Sequence, residues 1–201
     1  MNQSASQLFP LFLKLEGRRV LVVGGGPVAA AKVGALLDAK AEVALVAPDI
    51  DPELRKIAQA GKISIAARCF EQRDLEGAWL VVAAASHEVN RLVAAEAGSR
   101  RLFVLAVDDT SAASAYGAGT LRRGDVTVAV STGGRAPALA GLLREGLEAL
   151  LPEDLAAWTA EAERIRASWK ANGVPMSQRR PLLLAALNDL YARRDSARRA
   201  G

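Results

Sequence analysis

The stretch VLVVGGGPVAAAKVGALL, from Val20 to Leu37, constrains the chain more than any other. Four apolar residues run straight into Gly24, Gly25 and Gly26, and small residues at helical spacing follow. A buried strand must turn sharply there into a helix. Gly24, Gly26 and Ala29 fit G-x-G-x-x-G/A in the required context, directly after a strand and at the opening of a helix. The first glycine permits the turn, and the second lets a pyrophosphate approach the backbone. The small third residue lets helix and strand pack closely, and the helix N-terminus offers free N–H groups to a phosphate. A glycine-rich turn without a ligand is the plainer reading, and the βαβ unit around it weighs against that. The acidic residue expected about twenty positions on, at the end of the second strand, is missing. Val46, Ala47 and Pro48 stand there, with Asp49 only beyond them. NAD is the expected cofactor, and the choice between NAD and NADP stays open.

Elements then alternate along the chain. RRVLVVG reads as a strand, PVAAAKVGALLDAK as a helix, AEVALVAP as a strand, and DPELRKIAQAG as a helix opened by Asp51 and Pro52. KISIAAR and AWLVVAAA add two strands, HEVNRLVAAEAGSR a helix and RLFVLAVDD a fifth strand. Strands separated by crossover helices predict an α/β, Rossmann-type doubly wound parallel sheet. Only 4% of the residues are aromatic while 51% are apolar, so Ala, Val and Leu must build its core. After Asp109 small and turn residues dominate, and two strand-like runs flank RRGD, which predicts a hairpin beyond the sheet. PALAGLLREGLEALL is helical up to Pro152, a second helix has Glu153 and Asp154 in its first turn, and a last one lies around PLLLAALNDLYARR. Leu155, Trp158, Ala162, Ile165 and Trp169 recur at three and four. That stripe must meet the last helix or a second copy of the chain. The expected division is residues 1–115 for the Rossmann domain, 116–150 for a hairpin-containing dimerisation segment and 151–201 for a helical domain.

With 201 residues the chain can bury a real core. No stretch approaches the roughly 20 apolar residues of a membrane span. The opening MNQSASQLFPLFLKLEGRR has no basic region before its apolar patch, so no signal peptide is expected. One cysteine, Cys69, excludes an internal disulfide and a multi-thiolate metal site. A reducing cytoplasm is the simplest location. The net charge of +4 asks for an acidic partner, yet no aromatic residues interleave the arginines as a stacking platform, and nucleic acid is not expected. The terminal ARRDSARRAG reads as a solvated helix face and a frayed tail. His87 reads as a polar residue at a helix start, and neither it nor Cys69 has partners for a metal site.

The segment LFPLFLKLEGRRVLVVGGGPVAAAKVGALLDAKAEVALVAP resembles the opening of the precorrin-2 dehydrogenases, the family that includes the N-terminal half of bacterial siroheme synthase. The likeness continues in VVAAASHEVNRLVAAEA, RLFVLAVDD and RRGDVTVAVSTGGRAPALAGLLREGLEALLP, covering nearly everything up to about residue 152. It implies oxidation of precorrin-2 to sirohydrochlorin with NAD as hydride acceptor and, in some members, insertion of ferrous iron to give siroheme. It leaves no room for the methyltransferase half of the fused enzymes, so methylation is expected on another protein.

By the same resemblance Gly24, Gly25, Gly26, Pro27 and Val28 match the dinucleotide site, as do Pro48 and Asp49. Asp108 matches the aspartate that the family uses in catalysis. A carboxylate at the carboxyl end of a parallel strand faces the crevice where open α/β sheets bind ligands, though Asp108 could also be a turn or capping residue. Ser131, Thr132, Gly133 and Gly134 precede a helix, and their N–H groups could receive a substrate carboxylate or simply cap that helix. Arg122, Arg123 and Arg135 are candidates for the eight carboxylates of such a tetrapyrrole. The chain departs from the family at Ser86 and His87, where acidic residues are frequent. It departs again at Ala115–Ala118, where an aromatic residue and a proline are frequent, and at Ala136 in place of a serine. A homodimer is expected from the apolar surface that residues 116–134 and the Leu155–Trp169 stripe leave. A different class of function, an NAD(H)-binding regulatory or redox-sensing module without catalysis, uses the same turn. It would not need Asp108 or the RRGDVTVAVSTGG segment.

Overall fold

The computed structural model describes residues 7–200, with side chains up to residue 192. The first strand, β1 (Arg19–Val23), runs into α1 (Pro27–Asp38), and β2 (Glu42–Val46), α2 (Pro52–Gln59) and β3 (Ile63–Ala66) follow. After a 3-10 turn over Gln72–Leu75 come β4 (Leu80–Ala83), α3 (His87–Ser99) and β5 (Phe103–Ala106). These five strands form one parallel sheet in the order β3-β2-β1-β4-β5. The strand order reverses between β1 and β4, which opens a crevice beyond their carboxyl ends.

The apolar runs follow from burial on both faces. In β1, Val20 and Val22 enter one core with Val33 of α1 and Leu54 of α2. Leu21 and Val23 enter the other, with Val81 of β4, Val93 of α3 and Val104 of β5. Each of these side chains is buried, and burying one is worth about 1.5–3 kcal/mol. The sheet is therefore rigid where its strand ends present the glycine turn. Local signals set the helix starts. Asp51 accepts a hydrogen bond from the Glu53 N–H at 2.8 Å, and Ser86 caps α3 through Val89 N–H.

Beyond the fifth strand the chain folds back on it. Val104 N–H donates to Ser114 Oγ at 2.8 Å, and Ser114 and Ala115 N–H both donate to the Val104 carbonyl at 2.9 Å.

The chain divides into two compact units, residues 7–117 with 131–136, and residues 118–130 with 137–200. In the second unit β6 (Gly119–Arg123) and β7 (Val126–Val130) form the antiparallel hairpin expected around RRGD, with α4 (Pro137–Leu150), α5 (Leu155–Ala171) and α6 (Met176–Ala200). Gly124 turns the hairpin at φ +57°, and a Cβ there would come within 2.7 Å of Ala156 Cβ. Arg123 donates to the carbonyls of Glu148 and Leu151, at the C-terminal end of α4, so this candidate for substrate carboxylates is taken up in structure. The α5 stripe meets α6. Trp158 Nε1 donates to Tyr191 Oη at 2.9 Å, with the rings edge to face at 5.9 Å.

Two local expectations differ from the structure: α5 starts at Leu155, with Asp154 at its N-cap and no acidic residue in its first turn, and the last helix starts early. The last helix begins at Met176, five residues before Pro181, because the chain turns at Val174–Pro175 and Arg179 Nε closes onto the Val174 carbonyl at 3.1 Å. Pro181 lies inside α6 and leaves one rung of the helical ladder without a donor. The 3-10 turn is held by Asp74, which accepts from Glu71 N–H at 2.8 Å and from both terminal nitrogens of Arg68 at 2.8 and 2.6 Å. Residues 1–6, Gly201 and the side chains of 193–200 lie outside the described residues, and with them most of the ARRDSARRAG tail.

Candidate functional site

The three glycines do different work. Gly24 has φ +127°, and a Cβ on it would lie 2.2 Å from the Ala84 carbonyl oxygen. A Cβ on Gly25 would lie 2.0 Å from the Asp49 carbonyl oxygen. These two positions are glycine because β1, β4 and the Asp49 loop crowd together there. Gly24 N–H donates to the Val46 carbonyl at 3.0 Å and Asp51 N–H to the Gly25 carbonyl at 2.8 Å, which joins Pro48 and Asp49 to the turn. Gly26 is different. Nothing lies within 4 Å of a Cβ built on it, and it stands at the N-cap of α1 with no side chain capping the helix. The first-turn N–H groups are thus left for a ligand, and the space above Gly26 is open to it. Those features fit a dinucleotide pyrophosphate.

A cavity of about 260 Å³ opens at the crevice, lined by Val28, Ala84, Ala85, His87, Asn90, Val107 and Asp108. It brings together Val28 from the cofactor candidates and Asp108, the catalytic candidate. Asn90, 2% exposed, fixes the wall. Its Oδ1 accepts from Ala85 N–H at 2.9 Å and its Nδ2 donates to the Val107 carbonyl at 3.3 Å. Asp108 is exposed and sits at φ +57°, a left-handed conformation that aspartate tolerates better than most residues. Strained positions of this kind concentrate at functional sites.

Asp109, next in the chain, is buried, and its role is separate. Its Oδ1 accepts from Ser111 Oγ at 2.6 Å and from the N–H groups of Ser111 and Ala112 at 3.1 Å. The Ser111 hydroxyl, followed by Ala112 N–H and His87, holds the Asp109 carboxyl below the usual range, against the opposing effect of burial. This turn carries Asp108, so one aspartate builds the loop that presents the other.

Ser131–Gly134 form a tight loop with Gly133 and Gly134 at φ +63° and +74°. Gly133 N–H donates to Ser131 Oγ at 3.2 Å and Ala136 N–H to Thr132 Oγ1 at 3.1 Å. A Cβ on Gly134 would come within 2.6 Å of Thr110 Cγ2, so the loop lies against the segment that follows Asp108 and Asp109. Tyr116, one of the departures from the family pattern, donates to the Thr110 carbonyl at 3.1 Å and closes that segment. Arg135 and Arg122 are exposed. Sequence reasoning did not assign a site role to His87 or Asn90. Their one signal was their place just beyond the carboxyl end of β4.

Among the described residues no group of three His, Cys, Asp or Glu side chains could hold a metal ion, and no helix is long and apolar enough to cross a membrane. Cys69 is exposed and unpaired.

Residues 11–117 match the family model described as "Putative NAD(P)-binding", and residues 123–150 match the one described as "Sirohaem biosynthesis protein central". Siroheme synthase 3 of Aeromonas hydrophila subsp. hydrophila is 45% identical over 194 residues, which cover 94% of this chain and 42% of that protein. Siroheme synthase of Neisseria meningitidis serogroup C is 40% identical over 185 residues, covering 92% of this chain and 38% of its own length. The chain therefore spans about two fifths of these relatives. Among solved structures, that of SirC, precorrin-2 dehydrogenase, matches with a TM-score of 0.69 at 24% identity over 92% of each chain, and so shares the fold. The glycine turn, the crevice and the Asp108 loop all fall inside the first matched segment, and the chain belongs to the family described as "Putative NAD(P)-binding".

Proposed function

We propose that this chain oxidises precorrin-2 to sirohydrochlorin, with NAD as the hydride acceptor. One observation carries the reading: the open, uncapped N-terminus of α1 at Gly26 and the cavity holding Asp108 both lie at the carboxyl ends of the same parallel sheet. Bound there, the nicotinamide supplies the two-electron chemistry. The chain supplies the rest. Gly26 and the first turn of α1 hold the phosphates, with Gly24, Gly25, Pro27, Val28, Pro48 and Asp49 shaping that pocket. The Asn90 carboxamide fixes the cavity wall. Asp108 places a negative charge beside the cation that hydride loss leaves, and acts as a base for the proton the macrocycle gives up. Ser131–Gly134, packed on the Thr110 segment, present N–H groups to a substrate carboxylate. The test is NADH absorbance on mixing the protein with NAD and precorrin-2. NAD binding without NADH formation would favour a sensing module and overturn the reading.

The same pocket is proposed to accept ferrous iron as a second substrate. The tetrapyrrole brings its own four nitrogen ligands, so the protein needs only to accept the displaced protons. Anaerobic absorbance of sirohydrochlorin with iron tests this, and a rate equal to the spontaneous one would refute it. A homodimer in the cytoplasm is the proposed form, supported by Leu139, Leu142, Leu143 and Leu150 of α4, each between 47% and 80% exposed. A monomeric mass in sedimentation at micromolar concentration would count against it.

A further inference from the structure

The buried Asp109 has one oxygen that the loop does not use. Oδ1 takes every hydrogen bond from Ser111 and Ala112, while Oδ2 is buried with no hydrogen bond of ordinary geometry. Such atoms are rare in folded proteins and call for an explanation. What stands before Oδ2 is the Nδ1 of His87, at 3.2 Å. The imidazole is 67% exposed and lines the cavity that holds Asp108, whereas the Asp109 side chain is 4% exposed. A carboxylate 3.2 Å behind one ring nitrogen favours the tautomer with the proton on that nitrogen and leaves the other nitrogen as an acceptor.

We propose that His87, oriented through Nδ1 by the buried Asp109 carboxylate, is a second proton acceptor of this site alongside Asp108. Asp109 is a positioning residue. The inference rests on the dehydrogenase reading. In that reaction the macrocycle loses one hydrogen with its electron pair to the nicotinamide and a second as a proton. The Nε2 lone pair of His87 takes a proton, the ring becomes imidazolium, and its exposed face returns the proton to solvent. Iron insertion would release two further N–H protons, more than one carboxylate holds at a time. Two acceptors in one cavity meet that stoichiometry.

The experiment follows NADH formation from NAD and precorrin-2 in the intact chain and in His87→Ala and His87→Gln, with NAD affinity as the control for folding. Both variants should bind NAD normally and turn over about 10- to 100-fold more slowly through kcat, and free imidazole should restore His87→Ala but not the intact chain. Rates within twofold of the intact chain, or a loss that imidazole leaves untouched, would overturn the proposal. Asp109→Asn should slow the intact chain and add nothing in the His87→Ala background, and additive losses would remove its positioning role. If the intact chain makes no NADH, the dehydrogenase reading itself fails, and with it this one.

Discussion

The Ala84 carbonyl oxygen occupies the place of a Gly24 side chain, 2.2 Å from where its Cβ would stand, whereas nothing lies within 4 Å of a Cβ on Gly26. Gly24→Ala must push β1 and β4 apart at a residue already at φ +127°, so its thermal midpoint should fall by several degrees, the effect of more than about 1 kcal/mol. Gly26→Ala should melt like the parent and bind NAD at least tenfold more weakly, because only a ligand needs that space. Calorimetry and titration with NAD separate the two, and unchanged NAD affinity in Gly26→Ala would place the pyrophosphate elsewhere.

Asp108→Asn keeps the size of the side chain and a residue type that accepts positive φ, while removing the carboxylate. NADH formation from precorrin-2 should drop by about 10²–10⁴-fold, with NAD affinity within about threefold, under 1 kcal/mol. Steady-state kinetics and isothermal titration measure both, and a rate near that of the parent would show that Asp108 carries no chemistry.

Arg68 holds Asp74 with two hydrogen bonds, and Glu71 N–H adds a third. The Arg68 guanidinium first, then the Glu71 N–H, keep the Asp74 carboxyl below its usual range, against desolvation. The stability that this contributes is present above the unfolded carboxylate value, near 4, and is lost as pH falls through the lower folded value. Asp74→Ala should cost about 2–3 kcal/mol at pH 7, and less in acid, where the parent has lost the same contribution. Denaturant melts at both pH values would reveal a pH-independent difference, should the pair contribute nothing.

In the second unit, Tyr191→Phe keeps the ring against Trp158 and removes the hydroxyl that accepts from its indole N–H. A loss of about 0.5–1.5 kcal/mol is expected, and Tyr191→Ala should lose more because the ring contact goes too. Equal losses in the two variants would assign the whole effect to the hydroxyl.

The strands and the glycine turn were legible because their signals are local: a short, valine-rich run such as Val20–Val23 that stops at glycines reads as a strand buried on both faces, and Gly24 and Gly26 mark where it ends. The place of Asp108 in the crevice followed from its position just after the fifth strand, whereas a catalytic role for it came only from the resemblance. The joining of His87 to Asp109 was not, since they lie 22 positions apart and meet only because α3 and the Asp108 loop leave adjacent parallel strands. Pro181 misled for a physical reason: proline favours a helix's first turn, yet the turn at Val174–Pro175 had already started α6.

The Ser114 fold-back has a consequence beyond the site. Val104 has both its outward N–H and its carbonyl engaged by the chain's own loop, so no strand from another molecule can add to β5 there. The segment that presents Asp108 is thus also the seal on a sheet edge whose neighbour Phe103 is 54% exposed. A substitution that loosens Ser114 would first be noticed as self-association in concentrated protein, before any defect in turnover.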